Sequence, residues 1–229
     1  AVRIATEAGA IPVILGGDHT ITWPDVTGVA RAKGWGRVSV IHFDAHADTG
    51  ETQFGSLVGH GLPMRRLIES GACRGDRFIQ IGLRGYWPEP ETLQWMAEQR
   101  MHSFEMHEVV RRGLDDVLEE AFALAVDDCD GVFVSVDVDV VDPGMAPGTG
   151  TPEPGGFTAR QLLDAVRRIA IELPVMGMDV VEVSPPYDSA EITAFLANRV
   201  VLEMLAGIAF RRKGGTWDSI PKTLLEGRI

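Results

Sequence analysis

Residues 37–48, RVSVIHFDAHAD, join a short apolar run to a cluster of acidic and imidazole side chains. The run itself, residues 37–43, is rich in Val and Ile, as the buried strands of parallel sheets are. Four further runs share this composition and are bounded by Gly, Pro or Asp, at residues 11–15, 77–83, 131–138 and 174–181. The pattern predicts five buried strands, each followed by polar residues.

Helical patterns fill the stretches between these runs, at residues 62–70, 90–99, 114–126, 158–172 and 189–206. In the fourth, Thr158 followed by Gln161 is a capping-box pattern that marks the start of a helix. The alternation of strands and helices predicts an α/β protein, a three-layer αβα sandwich with a mostly parallel sheet. We expect residues 1–229 to form a single domain, with polar, glycine-rich residues 211–229 as a peripheral tail.

The overall composition narrows the class of protein. The 229 residues, 45% of them hydrophobic, are enough to bury a sizeable core. The formal net charge of −12 argues against nucleic acid and anionic membranes as partners, but not against a small cation. Two cysteines, Cys73 and Cys129, are too few and too far apart for a disulfide framework, which favours a cytoplasmic location.

Neither the N-terminus nor any apolar run has the pattern of a targeting signal. No apolar run approaches about 18 residues, so we expect no transmembrane helix. The first residues, AVRIATEAGAIPVILGGDH, lack the basic and long apolar regions of a signal peptide. Because the chain lacks an initiator Met and enters an apolar run almost at once, we expect an N-terminally truncated form of a longer chain.

Metal-ligand side chains follow several of the predicted strands, where open α/β sheets bind their ligands. Asp44, His46 and Asp48 alternate with small alanines, and alternation places such residues on one side of an extended segment. Alone, this segment is equally well explained as a polar turn with local hydrogen bonds. The other strand ends add further ligands: His19, Asp137 and Asp139. Together these six residues predict a metal site.

The donor types limit the choice of metal. Two imidazoles and four carboxylates, without a thiolate, favour Mn²⁺, while the imidazoles leave Ni²⁺, Zn²⁺ and Fe²⁺ open. Six protein ligands are too many for one open catalytic ion, but they suit two ions that share carboxylates. Paired ions of this kind, about 3.5–4 Å apart, activate a water molecule for hydrolysis.

Five segments, in this order, resemble the ureohydrolases, the family of arginase, agmatinase and their guanidino-acid relatives. They are GGDH (16–19), HFDAHAD (42–48), SVDVDVVDP (135–143), APGTGTPEPGG (146–156) and GMDVVEVSP (177–185). The resemblance covers about residues 11–210. It implies an arginase-like fold, a centre of two Mn²⁺ ions and assembly into a homo-oligomer, a trimer or hexamer.

Matched position by position, the resemblance also implies roles for single residues. His19 and Asp48 would complete the shell of one ion and His46 and Asp139 that of the other, while Asp44 and Asp137 would bridge the two. Glu182 would receive the substrate's guanidinium, for which a carboxylate is a bidentate partner. His60 would transfer protons. The candidate catalytic residues are therefore His60, Glu182 and Asp139, and the candidate substrate contacts are Glu182, His60 and Tyr86.

The implied reaction is attack of a metal-bridging hydroxide on a linear guanidino compound, giving urea and a primary amine. The sequences of residues 146–156 and 180–193 resemble the agmatinase branch more than arginase. Tyr86 and Trp87 follow the IGLR stretch, where arginases carry an acidic residue. We therefore expect an agmatine-like substrate, a small cation. Glu51 would favour such a cation if it points inward, whereas an inward Arg65, Arg66 or Arg84 would favour a guanidino acid.

Three alternatives stay open at this point. The first is a hydrolase of guanidinobutyrate or a similar guanidino acid. The second is a dinuclear-metal hydrolase of another C–N bond, and the third is a non-catalytic, metal-stabilised subunit. Several neighbouring polar residues are expected to be structural: Asp18, His42, Asp142 and Asp179.

Overall fold

A six-stranded sheet forms the centre of the protein. The computed structural model describes residues 1–86 and 88–220. The strands are β1 (Val13–Leu15), β2 (Val38–Phe43), β3 (Phe78–Leu83), β4 (His102–Glu105), β5 (Gly131–Asp137) and β6 (Val175–Val181). They lie in the order β1-β6-β5-β2-β3-β4, and every pairing is parallel. The five strands predicted from sequence are confirmed to within a few residues.

The sixth strand, β4, was not predicted. It lies at the edge of the sheet and pairs only with β3. Phe104 is its one fully buried side chain, while His102 and Ser103 are half-buried and Glu105 is exposed. A short edge strand with one apolar side chain carries too little hydrophobic pattern to be recognised.

Within residues 1–86 and 88–220, six α-helices lie between successive strands, one precedes β1 and one follows β6. They are α1 (Val2–Glu7), α2 (Thr22–Lys33), α3 (Pro63–Glu69), α4 (Pro90–Glu98), α5 (Met106–Arg112), α6 (Leu114–Val126), α7 (Ala159–Glu172) and α8 (Ile192–Arg212). All five predicted helices are present, and α8 begins later and ends later than expected. The capping box at Thr158 and Gln161 is confirmed.

Helices α1, α2 and α5 were missed by the sequence prediction. In α2, Gly28 interrupts the helical pattern, since glycine is a poor helix former. The structure explains the glycine, because a Cβ at this position would lie 2.9 Å from Cβ of Val2 on α1. The close approach of α1 and α2 therefore requires a residue that weakens the sequence signal for α2.

Both faces of the sheet are covered by helices, which confirms the three-layer sandwich. Ile41 and Phe43 on β2 pack into a core with side chains of α6 and α7. Val38 and Val40, on the same strand but pointing the other way, pack with side chains of α2 and α3. Side chains of a strand alternate between its two faces, so a strand covered on both sides is mostly apolar, and the buried polar residues that it does contain, such as His42, need polar partners.

Helix α8 bears on the expectation that the chain has no transmembrane helix. By length and composition alone, residues 192–212 could cross a membrane, since an 18-residue window within them has a mean hydropathy of 1.6; 33% of that window is buried. Core helices pass the same test, and α8 packs closely against α7. Gly207 marks the contact, since a Cβ there would lie 2.5 Å from Cβ of Ala170. Glu203 is buried in the same contact and pairs with Arg167 and Arg199.

The expected peripheral tail is only partly described. Its first residues complete α8, and a short 3₁₀ turn, Trp217–Ser219, follows. The guanidinium of Arg168 on α7 lies over the ring of Trp217, with its Cζ 5.8 Å from the ring centroid. Residues 221–229 lie outside the described residues, as does Trp87.

The strand order creates one crevice at the carboxyl edge of the sheet. From β2 the chain moves outward to β3 and β4, and then returns to β5 on the other side of β2. Connections therefore leave β2 and β5 in opposite directions. A crevice opens at such a switch point, where ligands bind in open α/β sheets.

Candidate metal centre and substrate pocket

The segment that follows β2 crosses the crevice beside the end of β5. The backbone N–H of Ala45 donates to Oδ1 of Asp139 at 3.0 Å, and that of His46 donates to Oδ1 of Asp44 at 2.6 Å. Ala45 and Ala47, between the ligands, are buried. Gly82 on β3 leaves room for the backbone of this segment. Any larger residue would place its Cβ 2.9 Å from the carbonyl oxygen of Asp44, which is too close.

Three carboxylates converge on one nitrogen of His19. Its Nδ1 lies 3.1 Å from Oδ2 of Asp44, 3.0 Å from Oδ2 of Asp48 and 3.1 Å from Oδ2 of Asp137. The residues come from three different strand ends, and His19 is fully buried. The structure thus brings together all four residues that the family resemblance assigned to one ion and its bridges.

A second group lies beside the first and shares Asp44. Nδ1 of His46 lies 2.9 Å from Oδ2 of Asp139 and 3.4 Å from Oδ1 of Asp44. The ligand atoms of Asp44, His46 and Asp139 lie within 4.8 Å of one another. All six expected ligands therefore belong to one cluster at the crevice.

The spacing within the first group suits an ion better than hydrogen bonds. Nδ1 of His19 and Oδ2 of Asp44 are buried and form no hydrogen bond of acceptable geometry with a described residue, although they are 3.1 Å apart. Two neighbouring ligand atoms of an octahedral ion, each about 2.1 Å from it, lie roughly 3 Å apart. The donor set and its spacing therefore fit a divalent metal ion.

Burial and neighbouring negative charges shift the pKa values of the acids in the cluster. Burial and the charge of Asp44 raise the pKa of Asp48 to about 7 and that of Asp139 to about 6. Burial, with the charges of Asp139 and Asp44, also raises the pKa of Asp137. Burial acts against ionised Asp44 too, but His42, His19 and His46 outweigh it and hold the pKa of Asp44 well below its usual value.

The pKa values of the two imidazoles, His19 and His46, are raised as well. Burial lowers the pKa of His46, but Asp139 and Asp44 outweigh it and raise the value to about 11. Burial is likewise outweighed at His19, where three carboxylates raise the pKa. Four carboxylates and two imidazoles thus compete for a few protons. Two divalent cations would balance the four negative charges and leave both imidazoles neutral, as metal ligation requires.

A chain of buried side chains holds Asp44 from the sheet side. The Gln80 amide Nε2 lies 2.8 Å from the carbonyl oxygen of Ala47 and 3.1 Å from Nδ1 of His42. Because Nδ1 then accepts, the proton of neutral His42 sits on Nε2. This nitrogen lies 2.8 Å from Oδ2 of Asp44, although the two atoms do not have the geometry of a hydrogen bond. Burial keeps the pKa of His42 low. His42 therefore contacts a candidate ligand from the sheet side.

Buried polar side chains also lie behind His19; Asp179 among them was expected to be structural, whereas Ser135 and Thr22 were not named from the sequence. The Nε2 of His19 lies 2.9 Å from Oγ of Ser135 on β5. Oγ1 of Thr22 donates to Oδ2 of buried Asp179 at 2.8 Å and lies 3.4 Å from Ser135. The signal for Gln80 and Ser135 was present in the sequence, because each is a polar residue inside an otherwise apolar strand.

Asp18 and Asp142 are structural, as expected. Asp18 is exposed and accepts a hydrogen bond from the backbone N–H of Thr20, which caps the turn that carries His19. Asp142 accepts from the backbone N–H groups of Gly144 and Gly155 and so shapes the loop after β5. These bonds lower the pKa of the Asp142 carboxyl.

Glu182 follows β6 and lies beside the cluster in an uncommon backbone conformation. Its φ is +62°, in the left-handed region that non-glycine residues seldom adopt. Asp48 shares this feature with a φ of +52°. Strained residues of this kind concentrate at functional sites, where the surrounding structure holds them. His60 faces Glu182, with Nδ1 3.7 Å from Oε1.

A pocket of about 580 Å³ opens above the cluster. Its lining includes His46, Asp48 and Asp137 of the cluster, together with Glu182 and His60. Tyr86, an expected substrate contact, does not line this pocket and is 98% exposed. Most of the rest of the lining comes from two segments in which only Glu51 was a candidate from sequence. They are the segment between β2 and α3, with Thr49 to Phe54, Gly61 and Leu62, and the start of α4, with Pro88, Glu89 and Thr92.

Comparison with known proteins places this geometry in a family. Residues 1–207 match the model of the arginase family. The chain is 38% identical to the guanidinobutyrase of Pseudomonas aeruginosa over 197 residues, which are 86% of this chain and 60% of the relative. It is also 38% identical to the mitochondrial agmatinase of Gallus gallus over 200 residues, 86% of this chain and 57% of the relative.

A solved structure extends the likeness to the whole sandwich. The chain matches a variant of Trypanosoma cruzi formiminoglutamase with Mn²⁺ at a TM-score of 0.84 and 28% identity, covering 92% of this chain and 69% of that one. By contrast, the chain spans less than two thirds of the length of the two curated relatives.

Proposed function

The chain belongs to the arginase family, and on that premise we propose that it hydrolyses a linear, agmatine-like guanidino compound to urea and a primary amine. The observation that carries the proposal is the position of Glu182 and His60 in one pocket with the six-residue cluster. The alternative of a non-catalytic, metal-stabilised subunit would leave this combination unexplained.

We assign the cluster to two divalent ions, with Mn²⁺ as the first choice. His19 and Asp48 would hold one ion, His46 and Asp139 the other, and Asp44 and Asp137 would bridge them. The support is the spacing of the donor atoms, the charge balance and the manganese bound by a solved relative. When bound, such ions lower the pKa of a shared water and supply hydroxide near neutral pH.

Glu182 is suited to bind the guanidinium. Its side chain is 13% exposed, and its Oε1 accepts a hydrogen bond from the backbone N–H of His19 at 2.7 Å. This bond holds Oε1 in place beside the cluster, and a carboxylate is a suitable partner for the planar fork of guanidinium donors. The central carbon of the substrate would then face the cluster.

His60 is suited to move a proton at the same site. The leaving amine needs a proton, and histidine is the side chain most often used for such transfer. Nδ1 of His60 lies near Oε1 of Glu182, and its side chain is 42% exposed, open to the pocket and to solvent. Asp139 contributes by holding its ion, with one oxygen fixed by the backbone N–H of Ala45.

A second candidate is hydrolysis of a guanidino acid. It is favoured by the guanidinobutyrase, which is as similar to this chain as the agmatinase. Overall identity therefore does not distinguish the two substrates. Hydrolysis of another C–N bond, such as an amide, is less well supported because it gives Glu182 no partner.

Urea release with Mn²⁺ across a panel of agmatine, 4-guanidinobutyrate, arginine and an unrelated amide tests the proposal. We expect urea from at least one linear guanidino compound. The Asp48→Asn variant should lose metal and activity, whereas Asp18→Asn, at an exposed turn beside a ligand, should keep both. The absence of urea from every compound, with two ions bound per chain, would overturn the proposal.

We further propose a single-domain, cytoplasmic protein that assembles into a homo-oligomer, as the family resemblance implies. Both cysteines are free thiols, which agrees with a reducing compartment. Sedimentation of the full chain tests the assembly, and a monomer at micromolar concentration would contradict it.

A further inference from the structure

We propose that Glu51 and Glu89, at the outer part of the pocket, select substrates with a second positive charge at the end remote from the guanidinium. This inference rests on the proposed function, since it concerns the same pocket. It goes beyond that function because it assigns the residues that recognise the far end of the substrate.

The carboxylates of the pocket favour a cation. Glu51 and Glu89 line it together with Glu182, Asp48 and Asp137, and no lysine or arginine does so among residues 1–86 and 88–220. Both glutamates are exposed, in contrast to the buried acids of the cluster. A substrate held at Glu182 would therefore extend from the buried acids towards two hydrated carboxylates.

The arginines that could have bound the carboxylate of a guanidino acid make contacts outside the pocket. Arg84 donates to carbonyl oxygens behind the cluster, among them those of Asp139 at 2.7 Å and Glu153 at 2.6 Å. Arg65 and Arg66 both pair with Glu69 on α3, and Arg65 also lies over the ring of Trp95. None of the three lines the pocket.

The start of helix α4 also lies at the pocket, and a helix N-terminus attracts anions. Here that end already carries negative charge. Glu89 is the residue immediately before the helix, and its carbonyl oxygen accepts from the backbone N–H of Leu93. Its side chain makes no capping hydrogen bond, but its negative charge beside the helix start opposes binding of the carboxylate of a guanidino acid.

The backbone holds Glu51 at the pocket as well. The N–H of Gly50 donates to the carbonyl oxygen of Gly61 at 3.1 Å, and Gln53 and Ser56 form a bridge within the same loop. These bonds tie the loop that carries Glu51 to the one that carries His60. The backbone that carries Glu51 is therefore joined to the backbone next to His60, and both residues line the same pocket.

Three substrates with one guanidinium test which charge the pocket prefers at the far end. They are agmatine with an amine end, butylguanidine with a neutral end, and 4-guanidinobutyrate with an acidic end. We expect kcat/KM in the order agmatine, butylguanidine, 4-guanidinobutyrate. An exposed ion pair changes binding by about two- to fivefold, so Glu51→Gln or Glu89→Gln should lower the agmatine to butylguanidine ratio by that factor. The double variant should lower it by roughly tenfold.

Charge reversal provides a second measurement. Glu51→Lys with Glu89→Lys should raise kcat/KM for 4-guanidinobutyrate relative to agmatine by more than tenfold. Glu98→Gln is the matched control, because it removes the same charge from α4 outside the pocket and should leave the ratio unchanged.

Two results would overturn the inference. One is a preference of the unaltered protein for 4-guanidinobutyrate over butylguanidine, and the other is an equal change of the ratio in Glu98→Gln. Both require urea release, so they differ from failure of the proposed function, in which none of the three compounds gives urea.

Discussion

The backbone N–H of His19 and the side chain of Glu182 are joined by a 2.7 Å hydrogen bond between the ends of β1 and β6. The backbone N–H of Glu182 in turn donates to the carbonyl oxygen of Gly17 at 2.9 Å. A candidate metal ligand and the candidate guanidinium partner therefore form one unit. Their separation is set by the pairing of two adjacent strands rather than by a flexible loop.

Glu182→Gln should separate the charge of this residue from its structural role. Gln retains an oxygen that can accept from His19 but loses the negative charge that pairs with a guanidinium. We expect kcat/KM for agmatine to fall roughly hundredfold, because a hydrogen bond to a charged group contributes up to about 3 kcal/mol. The free energy of unfolding should change by less than about 1 kcal/mol.

Glu191→Gln is a matched control for that substitution, because Glu191 also has a positive φ, +57°, but lies outside the pocket. Urea assays and thermal unfolding of both variants check the prediction. A Glu182→Gln variant as active as the Glu191→Gln variant would show that no guanidinium pairs with this carboxylate.

Gln80→Leu should weaken metal binding without touching a ligand. The substitution removes the donor that fixes the proton position of His42, and so loosens the contact of His42 with Asp44. Loss of such outer partners costs about 10- to 100-fold in metal affinity. Gln94→Leu, at an exposed position on α4, is the control. Titration calorimetry with Mn²⁺ measures the affinity of each variant. Equal affinities would show that the contact of Gln80 with His42 does not support the metal site.

Binding of Mn²⁺ should become tighter as the pH rises. A ligand whose pKa is raised still holds a proton near neutral pH, and the metal must displace it. Asp139, Asp48 and His46, with pKa values of about 6, about 7 and about 11, should each oppose binding below its own pKa, so that His46 still holds a proton to be displaced throughout the range from pH 6 to 8. We expect the affinity to rise about tenfold per pH unit between pH 6 and 8, with release of protons.

Calorimetry in buffers of different ionisation enthalpy counts those protons. The same affinity at pH 6 and pH 8, without proton release, would mean that the six groups do not bind the metal.

Gly207→Leu should destabilise the protein by separating α7 from α8. A Cβ at this position would lie 2.5 Å from Cβ of Ala170 and 3.1 Å from the carbonyl oxygen of Arg167. Overpacking of this kind costs about 1–3 kcal/mol. Ala209→Leu, on an exposed part of the same helix, should change stability by less than about 0.5 kcal/mol. Urea unfolding compares the two, and equal midpoints would show that the helix contact is not tight.

Much of the fold followed from the sequence because the relevant signals are local. Val38 to Phe43 is buried at every position, which a strand needs only when both of its faces are covered. Elements with weak local patterns were missed, such as edge strand β4 and helix α2 with its central Gly28. Their stability comes from neighbours distant in sequence, which no local window contains.

The candidate ligands were likewise recognisable as residue types at strand ends. What the sequence determined by itself is therefore the parallel sandwich and the inventory of metal-ligand side chains, because strand periodicity and donor chemistry are properties of short segments. Only the tertiary structure decided that Nδ1 of His19 meets three carboxylates, that Tyr86 lies outside the pocket, and that Glu51 and Glu89 line it while Arg65, Arg66 and Arg84 do not. The physical reason is that the direction of a loop side chain is set by hydrogen bonds and packing between residues far apart in the chain.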